Sequence, residues 1–203
     1  MLLEQLRARV IASALRCDRA GLTVGTQGNY SARDKETGLI CITPTSYPYE
    51  NMKPEDIVVV KDELTIVEGR LKPSTDTDVH TYIYRARPDV MGICHTHARY
   101  SNVFGAVGMD IMPVLGTAQQ LAGGVVRVLP FTHFGTEQGQ HSMVDALKDR
   151  RAVVLGGHGL TCIGPSIEVA TMVNMMTEEN AHVYWMALQI GKPIRVPEKI
   201  TRI

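Results

Sequence analysis

The chain has 203 residues, of which 44% are hydrophobic and 21% charged, as is usual for a globular protein with a full hydrophobic core. Lys plus Arg and Asp plus Glu both number 21, and the resulting net charge of zero argues against a nucleic-acid-binding protein. The apolar runs are too short to span a bilayer and no secretory signal is evident, so we expect no membrane partner. The four cysteines are scattered, which predicts buried free thiols in a cytoplasmic protein.

The first third of the chain predicts one helix followed by short strands. Apolar residues at helical spacing predict a helix over residues 2–20, which Gly21 ends. Short apolar runs predict strands over residues 39–43 and 57–60, and residues 64–67 are expected to pair with the second of these as a hairpin.

In the rest of the chain, predicted helices and strands alternate irregularly. The helices are predicted over residues 77–87, 98–107, 136–150 and 165–189, and the strands over residues 90–94, 125–129, 151–155 and 161–163. Thr136 is the expected N-cap of the third of these helices, and Pro165 is expected in the first turn of the fourth. This order predicts a single three-layer α/β domain over residues 1–203 with a mixed sheet.

Three histidines stand where a metal site could form. His95 and His97 lie two residues apart at the end of a predicted strand, so their side chains point to the same side. His158 follows another predicted strand and stands between Gly157 and Gly159, an awkward place for a packing residue and a natural one for a ligand. Three imidazoles with an open position are typical of catalytic zinc. An accidental pair of histidines is the alternative for His95 and His97.

Three polar loops could hold an anion. Ser74, Thr75 and Asp76 precede a predicted helix, where hydroxyls favour a phosphate and a carboxylate could act as a proton shuttle, although the local sequence alone favours a simple N-cap. The glycine loop over residues 25–31 could form an anion-binding nest or be only a tight connection. The same two interpretations hold for the turn-like residues 43–46. The remaining histidines are treated as ordinary, with His133 the first to reconsider; they are His80, His133, His141 and His182.

Taken in order, these motifs resemble those of the class II aldolase/adducin family, whose enzymes include L-fuculose-1-phosphate aldolase and L-ribulose-5-phosphate 4-epimerase. The matching stretches cover nearly the whole chain, from about residue 6 to residue 191. They are Gly25-Thr26-Gln27-Gly28-Asn29, Ile42 to Glu50, Pro73-Ser74-Thr75-Asp76, His95-Thr96-His97, Phe134-Gly135-Thr136 and His158-Gly159-Leu160.

The resemblance implies an α/β/α domain around a mainly antiparallel sheet, assembled as a C4 homotetramer with active sites between subunits. It implies that one Zn²⁺ per subunit is bound by His95, His97 and His158, with Mn²⁺ or Co²⁺ as alternatives. It also implies that Asp76 is the catalytic base. By the same resemblance, the substrate phosphate is bound by residues of three loops: Thr26, Gly28, Asn29, Thr45, Ser46, Ser74 and Thr75.

The sequence departs from the family pattern where proton donors are found. Thr117 stands where the aldolase has a tyrosine, and Leu121 stands near the place of a catalytic Asp in the epimerase. The sequence ends at Ile203, before the C-terminal extension in which both relatives carry a further tyrosine. The proton donor on the aldehyde side is therefore left unassigned.

We predict a metal-dependent aldolase that cleaves a ketose 1-phosphate, such as L-fuculose 1-phosphate or a related deoxy-sugar phosphate, through a metal-stabilised enediolate. The products would be dihydroxyacetone phosphate and an aldehyde. The first alternative is an epimerase of the L-ribulose-5-phosphate type. Asp76 is the residue that the epimerase has at the matching position, whereas Leu121 stands near the place of its catalytic Asp. More distant alternatives are a non-catalytic adducin-like scaffold and an all-β cupin, which also combines a pair of histidines with a later one.

Overall fold

The computed structural model describes residues 1–197, and the strands within them form one eight-stranded sheet. The strands are β1 Asn29–Arg33, β2 Ile40–Ile42, β3 Val58–Val60, β4 Ile66–Glu68, β5 Gly92–Thr96, β6 Arg127–Leu129, β7 Ala152–Leu155 and β8 Gly159–Gly164. Their order is β4-β3-β2-β1-β5-β8-β7-β6, and every neighbouring pair is antiparallel except β6 and β7. The predicted mainly antiparallel mixed sheet is confirmed.

Six α-helices within the described residues cover the two faces of this sheet. They are α1 Glu4–Arg19, α2 Thr77–Ala86, α3 Arg99–Val107, α4 Gly116–Ala122, α5 Glu137–Leu147 and α6 Ile167–Ile190. Apolar residues of α1, α3, α4 and α6 pack on one face, and those of α2 and α5 on the other. This three-layer arrangement excludes the all-β cupin. No described helix is both long enough and apolar enough to cross a membrane.

The alternation of side chains along each strand explains why both faces are buried. In β5, Ile93 belongs to the core beneath α2 and α5, whereas Cys94 belongs to the core beneath α1 and α6. Because successive strand residues point to opposite faces, His95 shares the face of Ile93 and Thr96 that of Cys94. The four cysteines are buried free thiols, as predicted.

Sequence patterns missed the elements β1 and α4 and placed several element ends two or three residues away from the observed ones, as in α5, which ends at Leu147 and not at residue 150. β1 was predicted as part of a loop, because its alternating polar residues give no apolar pattern. The seven-residue helix α4 was not predicted. β5 ends two residues later than predicted, so that His95 lies inside the strand. The prediction that Pro165 lies in the first turn of α6 is wrong, because the Ser166 hydroxyl accepts a hydrogen bond from the Val169 N–H and is the N-cap. Thr136 is the N-cap of α5, as predicted.

The register of the sheet brings several loops to one end. Asn29 pairs with His95, so the loop before β1 lies beside the end of β5. The loop after β2, the start of β8 and the loop after β7 follow at the same end, because their strands run antiparallel to their neighbours. The prediction of one domain over residues 1–203 stays a prediction, and its last six residues lie outside the described part of the chain.

Candidate active site

Three histidines converge at this end of the sheet. His95 lies in β5, His97 follows that strand directly, and His158 precedes β8, the antiparallel neighbour of β5. One ligand nitrogen of each lies within 4.8 Å of those of the other two, and the ring centroids are 4.7 to 5.2 Å apart. Nitrogens this close can bind a single divalent cation, so the structure brings the predicted metal ligands together.

The surroundings of His95 leave one of its ring nitrogens without a protein partner. Thr161 lies directly opposite His95 in the pairing of β5 with β8, and His95 Nδ1 is 3.0 Å from Thr161 Oγ1, a hydrogen bond in which Nδ1 is the donor when Nε2 keeps its lone pair for a metal. His95 Nε2 is buried and has no hydrogen-bond partner among the described residues. A buried polar atom without a partner is destabilising, whereas a metal would use that lone pair, and ligating histidines usually donate their other N–H. This donor set fits a metal ion.

Burial keeps two of the imidazoles neutral, as metal ligands must be. Desolvation lowers the pKa of His95 well below its ordinary value, and the neighbouring imidazole of His158 adds to this effect. Desolvation also lowers the pKa of His97, again with a contribution from His158. Because protons and metal compete for the same lone pair, these lowered pKa values favour metal binding at neutral pH.

The glycines around His158 have steric reasons. A Cβ atom at Gly159 would lie 2.4 Å from the Thr96 carbonyl oxygen and 2.9 Å from Cε1 of His95, so any side chain there would displace the cluster. Gly157 has φ +67, a left-handed conformation that glycine adopts without strain. The glycine–histidine–glycine pattern therefore reflects a tight turn that presents an imidazole.

The carboxylate of Asp76 is directed away from the helix that it precedes. Asp76 is the N-cap residue of α2, but its side chain makes no capping hydrogen bond. Asp76 Oδ2 instead accepts from Asn29 Nδ2 at 2.7 Å. The Ser74 hydroxyl accepts from the Asp76 backbone N–H at 3.3 Å, which is the local helix-start contact that the sequence allowed. The carboxylate lines the same cleft as His95 and His158.

A buried histidine that sequence patterns left as ordinary lies behind this carboxylate. His80 Nε2 is 2.7 Å from Asn29 Oδ1, and His80 Nδ1 is 2.7 Å from Ser31 Oγ. Ser31 Oγ is in turn 2.8 Å from the Tyr84 hydroxyl. Asp76, His80 and Tyr84 recur every four residues along one helix face. This spacing is a sequence signal, but it can be interpreted only once β1 is known to lie opposite α2.

The two hydroxyl-bearing loops predicted to bind phosphate are joined to each other. Pro44 and Pro73 form an isolated antiparallel bridge, in which the Thr45 N–H donates to the Lys72 carbonyl oxygen and the Ser74 N–H to the Thr43 carbonyl oxygen, each at 3.0 Å. Ser46 has φ +54, an unusual conformation for a residue other than glycine. Strained residues of this kind cluster at ligand sites.

The glycine loop lies next to the histidine cluster. Gly28 has φ +89, and a Cβ atom there would lie 2.7 Å from the His95 carbonyl oxygen, so the loop can approach β5 only with glycine at this position. The Tyr49 hydroxyl donates to the Gly28 carbonyl oxygen at 2.7 Å and holds the loop. Thr26 is exposed, whereas the Asn29 amide bonds both Asp76 and His80.

A cleft of about 430 Å³ opens beside the cluster. Its lining combines polar side chains, namely Asn29, Asp76, His80, His95, His158 and Thr161, with an apolar wall formed by Val79, Phe131, Phe134, Met143 and Leu155. Phe131 is 70% exposed at its edge. The predicted phosphate residues other than Asn29 are not among its lining residues, which are drawn from the described part of the chain.

Three further positions are resolved by their places in the fold. His133 lies exposed in the loop after β6 and lines the cleft, which supports treating it as the first of the other histidines to reconsider.

Thr117 and Leu121 both lie on α4, which packs on the opposite face of the sheet, and Leu121 contacts the apolar core there. Neither is among the residues lining the cleft, so neither can donate a proton into it within this subunit.

Comparison with known proteins agrees with this geometry. The sequence model of the family described as "Class II Aldolase and Adducin N-terminal domain" matches residues 8–185. A 5-deoxy-D-ribulose 1-phosphate aldolase of Bacillus thuringiensis serovar kurstaki is 35% identical over 198 residues, which cover 98% of this chain and 92% of that protein. An L-ribulose-5-phosphate 4-epimerase of Salmonella paratyphi B is 32% identical and covers 93% of this chain, with 88% of its own length matched.

A solved structure shares the fold as well. It is an L-fuculose 1-phosphate aldolase, superposed with a TM-score of 0.89 at 29% identity, and the match covers 95% of this chain and 91% of that one. Metal dependence is expected of class II aldolases, and the three-imidazole cluster fits it. The chain therefore belongs to the class II aldolase/adducin family and is an enzyme of the class II aldolase type.

Proposed function

We propose that this protein is a zinc-dependent aldolase that reversibly cleaves a ketose 1-phosphate with a deoxy terminus into dihydroxyacetone phosphate and an aldehyde. The observation that carries the proposal is the meeting, in one cleft, of neutral imidazoles, the Asp76 carboxylate and an apolar wall. The first two suit the chemistry at the carbonyl and its neighbouring carbon, and the third suits an unhydroxylated end of the sugar.

His95, His97 and His158 would hold the metal, whose positive charge would stabilise the negative charge that develops on the substrate when the carbon–carbon bond breaks. The Thr161 hydroxyl, 3.0 Å from His95 Nδ1, would fix the ring and leave Nε2 to bind the ion. Zinc is proposed because three imidazoles with an open position are its usual catalytic ligands, and Mn²⁺ or Co²⁺ would also fit. Elemental analysis of protein purified without added metal would identify the ion.

Asp76 would exchange the proton at carbon 3. When the bond between carbons 3 and 4 breaks, its electrons pass toward the carbonyl, and carbon 3 must then take up a proton to give dihydroxyacetone phosphate. Asp76, held in place by the Asn29 amide and not engaged in capping its helix, would deliver that proton as the carboxylic acid and be left as the carboxylate, which would remove the proton in the reverse direction. The proton on the oxygen of carbon 4 must leave, and no described residue is assigned to accept it.

The phosphate would lie on the loops that contain Thr26 to Asn29, Thr45 to Ser46 and Ser74 to Thr75. The third loop precedes α2, whose N-terminal N–H groups favour an anion. The bridge between Pro44 and Pro73 holds the second loop beside the third, and register places the first beside β5. Anchoring the phosphate here would fix the carbonyl relative to the histidines.

The apolar wall supports a substrate whose far end lacks a hydroxyl. Phe131 and Phe134 lie on the side of the cleft next to His158, and the Phe134 ring stacks on His158 with centroids 6.0 Å apart. A terminal hydroxyl set against these rings would lose contact with water and gain no hydrogen-bond partner from them, which is unfavourable. The related aldolase of Bacillus thuringiensis is named for a 5-deoxy sugar phosphate.

A matched pair of substrates tests the proposal. We expect 5-deoxyribulose 1-phosphate to release dihydroxyacetone phosphate, detected by a coupled reductase, with a kcat/KM up to about a hundredfold above that for ribulose 1-phosphate. The two substrates differ by one hydroxyl, so the ratio of their kcat/KM values measures the effect of the apolar wall alone. L-Fuculose 1-phosphate should be cleaved as well. Cleavage of none of the three would contradict the proposal.

The second candidate, a 4-epimerase, rests on the relative from Salmonella paratyphi B. An epimerase re-forms the bond after the aldehyde turns, so it returns the C4 epimer and releases no dihydroxyacetone phosphate. The apolar residue Leu121, partly buried and packed against the core, stands against it. Incubation with L-ribulose 5-phosphate, followed by chromatography of the pentulose phosphates, would separate the two functions.

We also propose a C4 homotetramer in the cytoplasm. The family resemblance supports the assembly, and so do large apolar side chains exposed on α3, on α6 and just beyond α6: Val103, Val107, Trp185, Met186, Ile190 and Ile194. Because α4 lies away from this subunit's cleft, groups on it could serve only a neighbouring subunit. Light scattering coupled to size-exclusion chromatography would test the assembly, and a monomer would contradict it.

A further inference from the structure

The face of α2 that is turned toward the sheet carries a continuous chain of polar side chains. Asp76, His80 and Tyr84 are spaced by four residues along the helix, and Asn29 and Ser31 are spaced by two along β1. Both spacings repeat one face of their element, so the two rows lie against each other. Four hydrogen bonds of 2.7 to 2.8 Å connect them in the order Asp76, Asn29, His80, Ser31, Tyr84.

Every proton in this chain can be assigned by elimination. The Asp76 carboxylate only accepts, so the amide nitrogen of Asn29 faces it and the amide oxygen faces His80. That oxygen needs a donor, so His80 carries its proton on Nε2. Its Nδ1 then accepts from Ser31, whose oxygen accepts from the Tyr84 hydroxyl.

Burial makes this arrangement rigid and leaves it a single protonation state. His80 is 2% exposed and Ser31 and Tyr84 are fully buried, so bulk solvent does not reach their side chains. Desolvation lowers the pKa of His80 to about 4, so the ring is neutral at neutral pH. Each atom in the chain that needs a partner has one, which is the condition under which a buried polar network stabilises one geometry.

We propose that His80 is a positioning residue: by donating from Nε2 to Asn29, it orients the amide that holds the Asp76 carboxylate toward the substrate. By this proposal His80 acts through Asn29 and not on the reacting atoms themselves. Ser31 and Tyr84 in turn fix the orientation of its ring. The proposal rests on the proposed function, because Asp76 must be the proton-exchanging group for its position to affect turnover.

Two substitutions at this one position separate positioning from packing. His80→Gln places an amide N–H close to where Nε2 was, so it can still donate to Asn29. His80→Asn is shorter and can satisfy only Ser31. We expect His80→Asn to lower kcat about tenfold to a hundredfold, with KM and zinc content unchanged, and His80→Gln to retain most of the activity. His141→Asn, at an exposed histidine, is the control and should behave as wild type.

The site of the defect can be measured directly. The exchange of a hydrogen of dihydroxyacetone phosphate for deuterium, followed by NMR in D₂O without any aldehyde, reports the proton transfer assigned to Asp76. This exchange should slow in His80→Asn by the same factor as kcat. A purely structural role would instead lower the melting temperature of both variants and leave their exchange rates alike.

The outcomes distinguish this proposal from the function on which it rests. If the wild-type enzyme cleaves ketose 1-phosphates and folded His80→Asn does so equally well, the positioning role is wrong. If the wild-type enzyme cleaves none, the proposed function fails. Long-range ¹H–¹⁵N NMR of the imidazoles then decides the network by itself: a proton on His80 Nε2 supports it and a proton on Nδ1 overturns it.

Ser31→Ala keeps the test decisive if neither His80 variant folds. This change removes only the hydroxyl that donates to His80 Nδ1. We expect a severalfold loss of kcat and of the exchange rate at unchanged KM, and a kcat and exchange rate equal to those of wild type would overturn the proposal.

Discussion

Two sets of buried polar side chains meet in the cleft, and they differ in how their hydrogen-bonding atoms are satisfied. In the histidine cluster, His95 Nε2 is buried without a partner. In the hydrogen-bonded chain between α2 and β1, both ring nitrogens of His80 have partners at 2.7 Å. Both rings are neutral, since desolvation lowers both pKa values. The difference indicates that His95, which has a ring nitrogen without a partner, can bind a ligand, whereas His80, whose two ring nitrogens are both hydrogen-bonded, orients its neighbours.

The largest effect is expected for a substitution in the cluster of His95, His97 and His158. His158→Ala should remove the metal and lower kcat/KM on the order of a thousandfold or more, because the stabilisation of developing charge by a metal amounts to several kcal/mol. Metal content by mass spectrometry and turnover measured together would check this. His141→Ala, at an exposed histidine outside the cleft, is the control. Retention of both metal and turnover in His158→Ala would contradict the assignment of the cluster.

Asp76 lies where the two sets meet, and its role should be separable from metal binding. Asp76→Asn keeps an oxygen that can accept from Asn29, so the geometry and metal content should persist while kcat falls at least about a hundredfold. Asp78→Asn is the matched control, since Asp78 Oδ2 accepts from Gln140 and lies outside the cleft lining. Equal losses in the two variants would show that the effect is not specific to the base.

The buried, neutral ring of His80 should make the free energy of unfolding depend on pH. The pKa of His80 is about 4 in the folded state and 6.5 when unfolded, so the unfolded chain takes up a proton first as the pH falls. Its contribution is therefore complete above pH 6.5 and is lost as the pH falls toward 4, by at most about 3 kcal/mol. Urea unfolding with chelator present should show the free energies of wild type and His80→Gln converging over that range. A constant difference would contradict the assignment.

The smallest of these effects is expected for the hydrogen bond between Thr161 and His95. Thr161→Val keeps the shape but leaves His95 Nδ1 without its acceptor, so metal affinity should fall about tenfold to a hundredfold. Thr96→Val is the control, because the Thr96 hydroxyl donates to Asn174 on the opposite face of the sheet. Competition with a chromophoric chelator would measure both affinities, and equal affinities would show that the Thr161 contact is dispensable.

Local patterns were sufficient wherever the chemistry depended on neighbours in the chain. The pair of His95 and His97 and the turn around His158 were predicted as a metal site, and the structure brings their nitrogens together. Helix ends were predicted well where a side chain caps its own backbone, as Thr136 does. Pro165 was misassigned because a proline and the following Ser166 are both acceptable at a helix start, and only the observed hydrogen bond distinguishes them.

The sequence by itself determined the fold class, the family and the candidate metal ligands, because each depends on short motifs and on periodicities of two or four residues. Only the tertiary structure decided that β1 is a strand and that His80 is bound to Asn29, 51 residues away along the chain. The polar residues of β1 carry no apolar signal of their own. They can be buried there because α2 supplies the partners that satisfy them, and that is a property of packing between distant segments.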